Sequence, residues 1–206
     1  MQVLAILLLF SAFLLTRASR LASAVHILLA QSAMVAAACA VESGGSMHML
    51  IAAVLTVLIK VGLIPKALLR VVSQLKRERE VDPIMGPNAS SLAAAAAIVM
   101  TYAVIDRTLP GGLSWDAVAA SLALVFIGLM LIITRRQAIM QIVGLITIEN
   151  GLYLLGLSTT HGLPMIIELG IFFDVLVAVS VLVILTNRLK KSFQSTDTSI
   201  LKKLKG

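Results

Sequence analysis

Residues 117–159 decide the fold: AVAASLALVFIGLMLIIT (117–134), the polar connection RRQ (135–137) and AIMQIVGLITIENGLYLLGLST (138–159). Each of the two long runs is strongly apolar and close to the ~20 residues that an α-helix needs to cross the hydrocarbon core of a bilayer. The stretch therefore predicts two consecutive membrane-spanning helices joined by a short basic loop.

The composition of the whole chain agrees with a membrane protein. Of 206 residues, 59% are hydrophobic, 4% are aromatic and only 13% are charged, whereas an ordinary globular domain is about 45–50% apolar and about 25% charged. A soluble domain of this size leaves roughly a third of its chain surface exposed and could not bury this apolar surplus. The composition excludes a soluble enzyme, a nucleic-acid-binding protein and a disordered tail.

Outward from the central pair, further apolar runs predict an all-α polytopic bundle of about seven spans. The candidate spans are 1–16, 21–41, 47–72, 92–105, 117–134, 138–159 and 163–186. The first and the fourth are short for a core of ~30 Å. The first could instead be a signal peptide with a cleavage-like site at 22–24. Such a peptide carries its positive charge before the apolar run, whereas Arg17 and Arg20 follow it here.

Basic residues collect at alternate ends of these spans, which predicts the orientation. Of 17 Lys and Arg residues, 15 lie near or after the ends of spans 1, 3, 5 and 7, and only Lys60 and Arg107 do not. The positive-inside rule places those ends in the cytoplasm, with the N-terminus outside and the C-terminus inside. Without the fourth span, Arg135 and Arg136 would lie on the wrong side. The net charge of +7 therefore reports topology.

The same pattern divides the chain into three predicted parts. Residues 1–105 form a four-helix membrane part with an irregular cytoplasmic loop at 74–90, and 117–186 form a three-helix membrane part. Residues 187–206 form a basic cytoplasmic tail. The tail either docks on a peripheral partner or marks the face near anionic lipid.

Four ionisable residues stand out deep inside the predicted spans: Lys60, Glu149, Glu168 and Asp174. Such a residue costs about 2.5–3.5 kcal/mol at the centre of a membrane helix, so a chain that keeps several of them keeps them for a reason. At 1.5 Å per residue, Lys60 lies ~20 Å deep and Glu149 and Asp174 ~17 Å deep, while Glu168 lies ~8 Å from the outer boundary. This pattern predicts a buried proton or ion relay; the alternative is a structural ion pair between Lys60 and Asp174 or Glu149.

Three other residues are candidates for a supporting role. Pro65 cannot donate a hydrogen bond to the carbonyl of Val61, so the third span should kink or open just past Lys60. Asn150 adds a hydrogen-bonding amide next to the acid of the sixth span. His26 is either a proton-uptake group near the cytoplasmic edge or a hydrogen-bonded packing residue.

No residue set predicts a cofactor or a catalytic centre. The three histidines are scattered and have no metal-ligand spacing, and the single cysteine, Cys39, cannot form a disulfide or a thiolate site within one chain. We expect no metal, no cofactor and no catalytic residue in this chain. Activity of the chain by itself is not expected, and a part in a larger enzyme is left open.

The C-terminal three-helix part resembles a known family. It is similar to the small K-type membrane subunit of respiratory complex I and to the C-type subunit of multisubunit sodium/proton antiporters. The residues that carry this resemblance are Arg135, Arg136, Gln137, Gly144, Asn150, Asp174 and the basic tail ending at Gly206.

The chain as a whole resembles component E of hydrogenase-4, a subunit of membrane-bound [NiFe] hydrogenase and formate hydrogenlyase-type complexes. This resemblance covers the full length and rests on IENG (148–151), PMIIELGIFFD (164–174), KVGLIP (60–65) and LKG (204–206). The acid of the last K-type helix corresponds to Asp174. The acid of the preceding helix falls by spacing on Ile146, three residues before Glu149.

The resemblance implies a non-redox subunit of a complex I-like respiratory or hydrogenase assembly in a prokaryotic cytoplasmic (inner) membrane. It implies a mid-membrane relay for protons or sodium through Lys60, Glu149 and Asp174, with Glu168 on the outer side. The implied partners are antiporter-like membrane subunits, the lipid bilayer and, indirectly, a peripheral hydrogenase or dehydrogenase arm. The competing hypothesis is a structural scaffold of such a complex, or of a cation/proton antiporter assembly, in which the charges pair statically.

Overall fold

The computed structural model describes residues 2–42, 47, 54, 57–74, 83–108 and 115–160, and its elements over these ranges are all helical. In chain order they are α1 (Gln2–Arg17), α2 (Leu21–Glu42), a π-helical segment π1 (Val57–Leu63), α3 (Ile64–Gln74), α4 (Pro87–Thr108), α5 (Trp115–Thr134) and α6 (Ala138–Thr160). The predicted all-helical class is confirmed for the described part of the chain.

Four helices are long and apolar enough to cross a membrane: Leu21–Val41, Pro87–Thr108, Trp115–Thr134 and Ala138–Thr159. They correspond to predicted spans 2, 4, 5 and 6. Predicted span 1 forms the shorter apolar helix α1, and the described end of span 3 consists of π1 and α3. Span 7 and the tail, 163–206, lie outside the described residues, so the count of seven and the orientation of the termini remain predictions.

The fourth helix is longer than the sequence predicts. α4 has 22 residues, or ~33 Å of helix, which is sufficient for the bilayer core. It begins at Pro87, because a proline in the first turn needs no N–H partner and its φ already suits a helix. The carbonyl of Gly86 accepts the first bond, from Ser90 N at 2.9 Å. The predicted loop 74–90 is therefore helical over its last four residues, and 75–82 lie outside the described residues.

The two central helices, α5 and α6, form a hairpin with almost no side chain between their backbones at one crossing. A Cβ added to Gly144 would lie 2.7 Å from the carbonyl oxygen of Gly128, and one added to Gly128 would lie 2.6 Å from that of Gly144. A Cβ at Gly151 would lie 2.8 Å from the carbonyl oxygen of Ser121. In the most apolar stretches of α5 and α6, 61% and 67% of the residues are buried, compared with 22% in α4. This hairpin is therefore the centre of the described bundle.

The remaining helices pack around this hairpin. α1 contacts α2, α4 and α5, while α2 contacts α6 and also π1 and α3. One continuous apolar core joins them, with Leu8 of α1, Leu28 of α2 and Leu124 of α5 completely buried. Because α2 touches both π1 and α6, it places the third predicted span close to the sixth.

Hydrogen bonds at the helix ends show that α1 and α5 run in the same direction. The guanidinium of Arg135, just after α5, donates to the carbonyl of Thr16 at the end of α1. At the opposite ends, Gln2 Nε2 donates to Asp116 Oδ2 at 3.0 Å. Arg135 is only 2% exposed. Its guanidinium caps the carbonyl end of α1, where a cation is favoured. Its neighbour Arg136 is exposed.

Candidate functional site

A buried ion pair lies at the centre of the candidate site. Lys60 of π1 is 1% exposed and Glu149 of α6 is 4% exposed. The Lys60 Nζ atom lies 3.2 Å from Glu149 Oε1. The structure thus brings together two of the four charged residues singled out from the sequence, and it shows one of the two predicted pairings of Lys60. Asp174 and Glu168 lie outside the described residues.

The backbone around Lys60 departs from α-helical geometry. π1 runs from Val57 to Leu63, and α3 begins at Ile64, one residue before Pro65. Proline removes one intrahelical donor and clashes with the carbonyl four residues earlier, that of Val61. A π-helical turn widens the helix at that carbonyl, and such turns are frequent at functional sites. The opened helix that the sequence predicts past Lys60 thus takes the form of a π turn that includes Lys60.

Three side chains of α6 surround the Lys60 ammonium group. Besides the Glu149 carboxylate, the Oδ1 atom of Asn150 accepts a hydrogen bond from Lys60 Nζ at 3.3 Å. The Nζ atom also lies 4.5 Å from the centroid of the Tyr153 ring, where the π face attracts a cation. Tyr153 lies on the same helix face as both other residues, because it follows Glu149 by four positions and Asn150 by three.

A second set of buried polar groups continues from Asn150 across α2 to α1. Asn150 Nδ2 donates to Gln31 Oε1 at 3.1 Å and to Ser32 Oγ at 3.3 Å. Gln31 Nε2 in turn donates to Ser11 Oγ at 3.1 Å. Gln31, Ser32 and Asn150 have no exposed surface, and Ser11 is 6% exposed. We call Lys60, Glu149, Asn150, Gln31, Ser32 and Ser11 the buried polar cluster.

The geometry of the pair permits a proton to move between its members. At 3.2 Å, Lys60 Nζ and Glu149 Oε1 are at the distance over which general acids and bases exchange protons. Ammonium with carboxylate and amine with carboxylic acid have the same total charge, so the exchange leaves the net charge of the site unchanged. Removing only one member would leave an uncompensated buried charge, which is strongly unfavourable.

The other supporting candidates lie elsewhere. His26 is exposed, and its Nδ1 atom bonds to the carbonyl of Ala22 in its own helix at 2.6 Å. The buried polar cluster therefore does not include it. Cys39 is buried. No group of three His, Cys, Asp or Glu side chains suited to a metal ion occurs among the described residues, and the prediction that the whole chain holds no metal stays a prediction.

The neutral members of the site have weak sequence signals. Gln31 is only a weaker polar candidate of the second span, and Ser11, Ser32 and Tyr153 do not stand out. Ser11 and Gln31 are polar residues near the middle of apolar helices, at depths comparable with Glu149. Tyr153 follows Glu149 by four residues, which places it one turn along the same face.

Comparison with known proteins gives two kinds of relative. The chain is 36% identical over 131 residues to an uncharacterized protein of Mycobacterium tuberculosis, a match that covers 62% of this chain and 59% of that protein. It is 27% identical over 150 residues to hydrogenase-4 component E of Escherichia coli K12, covering 71% of this chain and 69% of that protein, and equally to the component of Shigella flexneri. No protein-family model matches the chain, and no solved structure matches it.

Proposed function

We propose that the chain is a non-redox membrane subunit of a hydrogenase complex of the complex I-like type. Two observations support this assignment. The first is the distant similarity to hydrogenase-4 component E over 71% of the chain. The second is the set of four helices long and apolar enough to cross a bilayer. Electron transfer would take place in other subunits of the complex.

Within such a complex the chain would contribute a charged relay for protons, or for sodium ions, in the middle of the membrane. The observation that carries this proposal is the buried Lys60–Glu149 pair, with a separation of 3.2 Å. Ionisable residues inside membrane helices are costly and mark ion or proton paths by default. Asp174 would continue the relay at the same depth, and Glu168 would lie towards the outer surface.

The same proposal specifies the surroundings of the chain. A relay needs charged groups beyond its own ends, and antiporter-like membrane subunits are the neighbours that would supply them. The peripheral hydrogenase or dehydrogenase arm would be reached only indirectly. The membrane would be the cytoplasmic membrane of a prokaryotic cell, with the N-terminus outside and the basic tail inside.

Neutralising the two mid-membrane acids tests the relay. In the assembled complex, reconstituted in liposomes, Glu149→Gln and Asp174→Asn should still assemble, despite the stability lost when one member of a pair is removed. Both should reduce ion transport per electron-transfer turnover severalfold. Asp116→Asn is the matched control, because Asp116 is exposed and lies at the far helix ends, where it accepts a hydrogen bond from Gln2. Normal transport by both Glu149→Gln and Asp174→Asn would refute the relay.

A structural scaffold is the second candidate, in the same complex or in a cation/proton antiporter assembly. The observation in its favour is the number of neutral partners around Lys60, since Asn150 and Tyr153 hold the ammonium group together with Glu149. Such a site suits a charge that never moves. This candidate predicts that Lys60→Ala abolishes assembly, whereas Glu149→Gln has no effect on ion transport.

A further inference from the structure

We infer that Gln31 is a positioning residue for the Lys60–Glu149 pair and that it acts through Asn150. It helps to hold the Asn150 amide with its oxygen towards the lysine. This inference rests on the proposed function, because it describes how the relay site is held. It assigns to α1 and α2 a part in a site whose charges lie on π1 and α6.

The argument begins at a backbone carbonyl of α1. The hydroxyl of Ser11 donates to the carbonyl of Leu8 at 2.7 Å, so its oxygen has only acceptor capacity left for Gln31. Gln31 Nε2 lies 3.1 Å from Ser11 Oγ and 3.5 Å from the Leu8 carbonyl oxygen. Both groups accept, so the nitrogen end of the Gln31 amide must face α1. A flipped amide would bring its oxygen against two acceptors.

This orientation is passed on to Asn150. With its nitrogen directed at α1, Gln31 presents Oε1 to α6, where Asn150 Nδ2 donates to it at 3.1 Å. The second hydrogen of Nδ2 has an acceptor in Ser32 Oγ at 3.3 Å. Two neighbouring side chains of α2 thus hold the nitrogen of the Asn150 amide, so its oxygen points away from α2.

The fixed oxygen is the one that Lys60 uses. Asn150 Oδ1 accepts from Lys60 Nζ at 3.3 Å, so the ammonium group is held beside Glu149 by a neutral acceptor of defined direction. A flipped Asn150 would place its NH₂ group against the ammonium, and both groups only donate. The orientation that the Leu8 carbonyl imposes through Ser11 and Gln31 is therefore the same one that the Lys60 ammonium group requires of Asn150.

The branch through Gln31 positions the pair and does not conduct protons. Primary amides neither gain nor lose a proton under physiological conditions, so a proton that reaches Lys60 or Glu149 must arrive by another route. A defect at Gln31 should consequently displace Lys60, whereas a defect at Glu149 should remove a proton-carrying group. The two roles can be separated by observing the lysine nitrogen directly.

The test uses the full-length chain in lipid bilayers, with lysine labelled by ¹⁵N and observed by solid-state NMR. The Nζ resonance of Lys60 is assigned by its absence in Lys60→Arg. In Gln31→Leu this resonance should shift, because Asn150 loses one of the two acceptors that hold its amide beside Lys60, while the other lysines keep their resonances. The matched control is Gln141→Leu, since the Gln141 side chain donates to the carbonyl of Arg135, outside the buried polar cluster.

A conservative exchange provides the rescue. Gln31→Asn shortens the α2 amide and should perturb the Lys60 resonance, whereas the double variant Gln31→Asn/Asn150→Gln restores the combined length of the two side chains and should move the resonance back towards wild type. An unchanged Lys60 resonance in both Gln31→Leu and Gln31→Asn would overturn the inference. Because this readout does not depend on ion transport, it stands or falls separately from the relay, which Glu149→Gln tests.

Discussion

At the scale of single residues, Lys60 explains the polar side chains that surround it in the described core. A lysine that is 1% exposed needs charged and hydrogen-bonding partners to offset the loss of hydration. Glu149 supplies the opposite charge at 3.2 Å, and Asn150 supplies a neutral acceptor. Asn150 in turn needs acceptors for its own NH₂ group, so the requirements of one cation determine polar residues on α6 and α2.

Removing the cation alone should destabilise the protein. Lys60→Met keeps the length of the side chain but leaves the Glu149 carboxylate buried without its counter-charge, and breaking one half of such a pair costs about 3–5 kcal/mol. Unfolding of the purified protein in detergent would measure this loss. Lys66→Met is the control, because Lys66 is exposed and its substitution should leave the stability unchanged. Equal stability of Lys60→Met and wild type would show that the pair contributes nothing to the fold.

The sequence predicts the charged members of the site but not the connection between them. Lys60 and Glu149 are conspicuous because a charge inside an apolar run is rare and costly. Which acid meets Lys60 depends on the rotation of each helix about its axis, and hydropathy does not report that rotation. Gln31 and Ser11 cost far less to bury than a charge does, so their weak signal is lost among the other polar residues of the spans.

At the scale of elements, two local deviations from a regular helix bundle place the site. The π turn Val57–Leu63 carries Lys60 just before Pro65. The glycines of the α5–α6 hairpin bring two backbones together, which fixes α6 and with it Glu149 and Asn150. The sequence predicts an opened helix near Pro65. The small residues Gly144, Gly151 and Gly156 of the sixth span also favour close packing of neighbouring helices. The partner Gly128 on α5 becomes apparent only from the antiparallel register.

Filling the glycine seam should weaken the hairpin. Gly144→Ala places a Cβ 2.7 Å from the carbonyl oxygen of Gly128 and 3.0 Å from Leu131 Cβ, and neither backbone nor Cβ can rotate away. Overpacking of this kind costs about 1–3 kcal/mol, which thermal unfolding in detergent would detect. Gly62→Ala is the control, because its new Cβ would only reach the Val57 carbonyl oxygen at 3.6 Å. A Gly144→Ala protein as stable as Gly62→Ala would contradict the close approach of α5 and α6.

At the scale of the whole molecule, the arrangement of helix ends agrees with alternating spans. α1 and α5 run in the same direction. This is expected for the first and fifth spans if every predicted span crosses the membrane and successive spans alternate in direction. α4 is long enough to cross a membrane although its apolar run is short, because its first turn, from Pro87 onwards, is polar. A search for apolar runs misses such a turn, because its polar residues lengthen the helix without adding to the apolar run.

Cysteine labelling of intact cells tests the orientation. In a Cys39→Ala background, a cysteine at Gly111, in the connection between α4 and α5, should react with a membrane-impermeant maleimide. A cysteine at Arg136, after α5, should react only after the cells are lysed, because 15 of the 17 basic residues are predicted on the cytoplasmic side. Labelling of position 136 but not of 111 would invert the topology, and labelling of both in intact cells would show that α5 does not span the membrane.

The most direct measurement of the central claim is the protonation state of Glu149 during turnover. Infrared difference spectra of the assembled complex, recorded between resting and working states, separate a carboxylate from a protonated carboxyl group. If Lys60 and Glu149 form a relay, a carboxyl band should appear and disappear with turnover, shift in D₂O and vanish in Glu149→Gln. A spectrum without any band that depends on Glu149, in a complex that transports ions, would show that the pair is static.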